Sequence, residues 1–271
     1  MAEKLAHILK KAVLALLYIG IYSFIQQILF VIVRLRESDT MNYSGVVTAF
    51  SGMSALAIFG VIHYLRGKKL SKRIRIRRPV LLDFVLSFTL ALGFRLLTTV
   101  YFVWAEKIEV LDKSIESAQS MTYNFNTMTN LGAISILFSI VIIAPIIEEI
   151  LFRGLVQKEL SEGIGVFFAI LLQGILFGCA HGFLVQSIFT AVFGIILGVL
   201  YYKTNNLTIT ILAHMFFNFS SILTVENSAL WPQMVVTGLA LTLASLAIFV
   251  YVYRKTHAPV EGVIAGGNNN G

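Results

Sequence analysis

Two adjacent carboxylates, Glu148 and Glu149, stand inside an apolar run that begins near Leu131 and passes Pro145. Arg153 follows four residues after Glu149. A carboxylate and a guanidinium at that spacing share one helix face and can pair. Glu148 is turned about 100° from Glu149, so it points elsewhere. This spacing predicts a structural Glu149–Arg153 pair and a free Glu148 able to take a proton from water. The plainer alternative is two acids that merely mark the end of a helix. Phe152 and Leu155 continue the apolar run and weigh against it.

Two further motifs place polar groups where a bilayer makes them costly. His181 closes the stretch Phe177-Gly178-Cys179-Ala180-His181, whose small residues let another helix approach closely. A histidine there is either a hydrogen-bonded core residue or a catalyst. His214 and Asn218 are spaced i,i+4, so both can donate to one small target, such as a developing oxyanion. An interhelical polar clamp would use the same spacing. One activated carboxylate, two histidines and an amide can together activate water and stabilise a tetrahedral intermediate. Cys179, the single cysteine, excludes an intrachain disulfide and a thiolate metal cluster. It faces away from His181 on a helix and reads as a small packing residue.

The elements that position these groups are membrane helices. The chain is 57% hydrophobic and 13% charged over 271 residues, far from soluble-domain usage. The apolar residues form eight segments, roughly 12–33, 44–65, 80–104, 131–152, 164–181, 184–202, 207–225 and 234–252, each long enough to cross a bilayer. The fold class is therefore all-α, a polytopic transmembrane bundle of about eight helices. Residues 1–130 read as N-terminal helices with a basic loop and an external loop. Residues 131–221 form the core, and 222–271 the last helix and a disordered Gly/Asn-rich tail. The first run is too long for a cleaved signal peptide. Segment Arg66–Arg78 carries eight Lys or Arg and no acid, which places it and both termini in the cytoplasm. The acidic loop 105–130 is then external. The net charge of +7 is a topology signal here, and no nucleic-acid partner is expected.

Glu-Glu-x-x-x-Arg at Glu148–Arg153, Phe-x-x-x-His at Phe177–His181 and His-x-x-x-Asn at His214–Asn218 occur in that order, each in its own hydrophobic helix. Over about Leu131–Ser221 the chain resembles the type II CAAX prenyl endopeptidases, also called CPBP or Abi proteins. The resemblance implies an intramembrane endopeptidase of the plasma membrane acting on membrane-anchored proteins or peptides. Its bacterial relatives are linked to peptide maturation and bacteriocin self-immunity. By motif position, Glu148 would activate water, His181 would assist, His214 and Asn218 would form the oxyanion hole, and Glu149 and Arg153 would hold the site. The family is often labelled a metalloprotease. Glu148, His181 and His214 could ligate zinc, although Asn218 suits an oxyanion donor better than a fourth ligand.

One mismatch accompanies this reading. Counted by rise per residue, Glu148 and His214 lie about 10–12 Å from their basic helix ends, but His181 lies about 25 Å in. Either the fifth helix starts deeper or tilts, or the link Gly154–Gly165 dips into the membrane. Pro145 is a candidate kink. Outside the motifs, Arg95 sits mid-span, where it pairs across the bundle or faces a cavity. Asp83 belongs to the basic interface, and the Arg66–Arg78 cluster also suits anionic lipid. His63 and His257 have no assigned role. Two other function classes fit a polar membrane core. One is a scaffold that binds a partner without hydrolysis. The other is an ion-coupled transporter, which the lack of an internal repeat disfavours.

Overall fold

The computed structural model describes residues 1–36, 40–120, 128–221 and 231–256. The expected tail at 262–271, His257 and the end of the seventh segment lie outside them. Among the described residues the chain is helical, with no strand. The helices are α1 (Ala2–Arg36), α2 (Ser44–Leu65), α3 (Leu81–Ala105), α4 (Glu109–Ser120), α5 (Asn130–Ile164), α6 (Val166–Cys179), α7 (Leu184–Thr204), α8 (Leu207–Ser221) and α9 (Trp231–Thr256). Six are long and apolar enough to cross a membrane, and α6 and α8 are shorter apolar helices. The chain is thus a multi-pass helical membrane protein. Its outward faces carry large apolar side chains such as Phe24, Phe50, Phe168 and Leu243, as contact with lipid requires.

With lipid outside, close packing of small residues holds such helices together. Helix α3 packs along α9 and α8, α6 along α7, and α1 along α2 and the end of α5. The α6–α7 contact depends on Gly178. A Cβ there would fall 2.4 Å from the Ser187 carbonyl oxygen, so no larger residue fits without moving a helix. Gly182, at φ 83°, then makes the turn between the two helices, just after His181.

The structure corrects two boundaries. The acidic stretch after α3 is not all loop. Its helix α4 turns Leu111 and Ile115 inward against Val185 and leaves Glu109 and Lys113 exposed. The fourth span does not stop at Phe152 either; α5 continues to Ile164 through two π-helical stretches, Ser139–Ile143 and Ile150–Val156. This removes the depth mismatch between Glu148 and His181. Glu148 now lies sixteen residues before the end of α5, about 24 Å, and His181 fifteen residues after the start of α6, about 22 Å. Both reach the same level from the same end of the bundle.

The basic segment anchors the start of α8. The Leu207 N–H donates to the Arg75 carbonyl at 2.8 Å, and the Arg77 N–H donates to Asn206 Oδ1 at 3.2 Å. The Thr208 hydroxyl donates to the Arg77 carbonyl at 2.7 Å. The extended stretch 74–80 therefore pins the α7–α8 turn from below. Asn206, matched in sequence to a glycosylation sequon, is 2% exposed and serves this joint.

Candidate active site

The site begins with the register of α5. Pro145 carries no N–H. The π stretch before it bonds Ala144 N–H to Ser139 O, so the next carbonyl in that register, Ile140, lacks its donor. Asn218 supplies it, its Nδ2 donating to Ile140 O at 2.9 Å. This fixes α8 against α5 and commits one of the two amide hydrogens of Asn218. The spacing of His214 and Asn218 left an oxyanion pair and an interhelical clamp open, and the family resemblance implied the former; the structure gives Asn218 a clamping bond to α5.

Glu149 and Arg153 are both fully buried, with Arg153 Nη1 donating to Glu149 Oε1 at 2.6 Å. Arg153 also donates through Nη2 to the Gly194 carbonyl of α7 at 3.2 Å, and its guanidinium lies 4.6 Å from the Phe177 ring centre. A charge in this setting is tolerated only with such partners. The same Glu149 oxygen lies 2.9 Å from His214 Nδ1. That oxygen also accepts from Arg153, and the contact fixes the orientation of the His214 ring. That orients Nε2 toward Glu148, whose Oε2 is 3.8 Å away, room for a bridging atom but too far for a direct hydrogen bond. The spacing of Glu149 to Arg153 was readable; the bond from Glu149 to His214, sixty-five residues away, was not.

His181 sits in the turn after α6. Its Nδ1 is 2.8 Å from the Phe177 carbonyl oxygen, which leaves Nε2 to face the interior. Two cavities, of about 220 and about 430 Å³, meet here, and Glu148 and His181 line both. The larger one also holds His214, Asn218, Arg95 and the rings of Phe189 and Phe217. Among the described residues, Glu148, His181 and His214 do not gather into a metal-ligating group of three. His214 Nδ1 is turned to Glu149, which leaves its Nε2 facing Glu148. Cys179 is exposed and distinct from the cluster.

A second buried charge cluster lay outside the sequence reading. Glu159 of α5 is fully buried and meets Lys11 Nζ at 2.9 Å, Arg66 Nη1 at 2.9 Å and Arg73 Nη2 at 3.1 Å. Glu162 pairs with Arg73 at 2.8 Å and also with Lys11. The bond to Glu159 pushes the Arg66 guanidinium above its ordinary range. His63 is also buried, stacked on Tyr18 at 5.8 Å beside this cluster. Asp83 is buried too, and caps α3 by accepting from the Val80 N–H at 3.0 Å.

Fold and site together define a membrane-embedded helical protein with a half-buried Glu–His–Asn cluster that lines a cavity. Residues 130–220 match the family described as type II CAAX prenyl endopeptidase Rce1-like. Over that segment the chain resembles a family of membrane peptidases, as the order of its three motifs indicates. "Putative membrane peptidase YdiL" of Bacillus subtilis (strain 168) is 34% identical over 77 residues, covering 28% of this chain and 32% of that protein. The chain thus matches about a third of the length of that relative. No solved structure matches.

Proposed function

We propose that this protein is an intramembrane endopeptidase that hydrolyses a peptide bond of a membrane-associated protein or peptide with water activated by Glu148. The observation that carries this reading is the position of Glu148. It lies in the wall shared by two cavities, beside His181 and facing His214 Nε2. Glu148 takes the proton of the attacking water, with His181 Nε2 helping to hold that water. His214 Nε2 and the second Asn218 amide hydrogen receive the oxyanion. For His214 that role requires a proton on both nitrogens, Nδ1–H to Glu149 and Nε2–H to the substrate. Glu149 and Arg153 fix the ring, and no step passes through a metal.

The basic Arg66–Arg78 segment and both termini are assigned to the cytoplasmic side of the plasma membrane. Peptide maturation and self-immunity to a bacteriocin are two uses for such an enzyme, and the released peptide decides between them. The test compares wild type with Glu148→Gln in cells at equal membrane levels, profiling the small peptides released from membrane proteins. A product that vanishes in the variant identifies both base and substrate. Identical profiles with the cellular phenotype intact would replace the protease by a scaffold.

A further inference from the structure

The two cavities that meet at Glu148 and His181 differ in chemistry. The larger one carries the oxyanion pair and is walled by aromatic rings. The smaller runs between α1, α2 and α5 and is lined by Tyr22, Gln26, Ser44, Thr48 and Ser139. Its polar wall has an unmet demand. Ser139 is 3% exposed, and its hydroxyl has no hydrogen-bond partner within the protein. A buried hydroxyl without a partner at the wall of a cavity of about 220 Å³ calls for water. Tyr22 and Glu148 line this same cavity.

In hydrolysis the water lies between Glu148 and the carbonyl carbon, so a chamber that opens beside Glu148 can deliver water to a carbonyl held in the larger cavity. The His214–Asn218 pair is in the larger cavity only. We propose that the smaller cavity is the water chamber of the enzyme. In it, the hydroxyls of Tyr22, Thr48 and Ser139 order the nucleophilic water against Glu148 and His181, while the larger cavity takes the peptide. This rests on the hydrolytic reading above and extends it to α1 and α2, which lie outside the matched segment 130–220. Tyr22, Thr48 and Ser139 are positioning residues that act through the water.

Two measurements on the full-length protein in bilayers test the assignment. The first is radiolytic hydroxyl labelling, which marks side chains beside bound water and needs no activity. Tyr22 becomes labelled in wild type and equally in Glu148→Gln; protection of Tyr22 in both overturns the chamber, whatever the fate of the protease reading. The second uses Tyr22→Phe, Thr48→Val and Ser139→Ala, which keep side-chain shape. With a cleaved substrate, each lowers kcat about ten- to hundred-fold through misplaced water and changes KM less than about two-fold. A raised KM at unchanged kcat would make this cavity a peptide subsite and overturn the proposal. If no substrate is cleaved even by wild type while Tyr22 is labelled, the hydrolytic reading fails and the chamber stands as a hydrated cavity.

Discussion

Helix α5 carries two buried carboxylates ten residues apart, Glu149 and Glu159, and the chain treats them differently. Glu159 is saturated by three cations from three places: Lys11 of α1, Arg66 after α2, and Arg73 in the basic loop. Neither Glu159 nor its three partners line either of the two cavities at Glu148. Glu149 has one cation, Arg153, and uses the same oxygen to hold His214. Its sequence neighbour Glu148 is left in the wall of two cavities. The first arrangement fastens elements that lie far apart in sequence. The second pre-orients a ring beside an acid that faces open space. A buried charge is thus not itself the mark of a site; the mark is a buried charge that positions a second polar group facing a cavity.

Four substitutions sharpen the contrast, beginning with the largest effect. Glu148→Gln removes the base and leaves the packing intact, so hydrolysis falls about 10²–10⁴-fold at unchanged membrane level and melting behaviour. Arg153→Met leaves Glu149 buried without its cation. Stripping one partner from such a pair costs about 3–5 kcal/mol, and His214 loses its fixed partner. Thermal aggregation in detergent moves to lower temperature, and activity disappears with the fold. Glu159→Gln is milder, about 1–3 kcal/mol, because the side chains of Arg66 and Arg73 are 22% and 11% exposed and solvent relieves them. Its signature is a basic segment 66–73 cut faster by trypsin, while the folded fraction keeps the kcat of wild type. Loss of kcat with the fold intact would break the contrast by tying Glu159 to the chemistry. His63→Phe removes a buried ring nitrogen that has no partner, Nε2, together with the contact of Nδ1 to the Phe59 carbonyl oxygen at 2.9 Å, and retains the stacking on Tyr18. It shifts stability by no more than about 1 kcal/mol.

The helical class, six of the eight expected spans and the three motifs were legible because each leaves a local signature; the fifth and seventh segments form the shorter helices α6 and α8. Long apolar runs are visible to a hydropathy window, and Glu149–Arg153 is an i,i+4 pair. The continuation of α5 was hidden because Gln157-Lys158-Glu159-Leu160-Ser161-Glu162 is polar and ends any hydropathy window. Those polar groups are accommodated by Lys11, Arg66, Arg73 and the Gly198 carbonyl, all remote in sequence. The π register around Pro145 leaves no pattern in composition, so the bond of Asn218 to Ile140 could not be read. Helix α4 could have been found. Leu111, Ile115 and Ala118 recur at helical spacing between acids, a weak stripe overlooked beside much stronger apolar runs. Tyr22 was one of many aromatic residues in an apolar helix, and only the packing of α1 beside α5 singles it out.

The most direct test of the central claim follows the oxygen. Wild type and Glu148→Gln, reconstituted in vesicles at equal amounts, are given the peptide identified from cells in isotope-labelled water. Glu148 as the base predicts that wild type places one labelled oxygen in the new carboxylate, and that Glu148→Gln, folded and membrane-inserted, yields no labelled product above background. Release of the same labelled fragment by Glu148→Gln at the wild-type rate would contradict it.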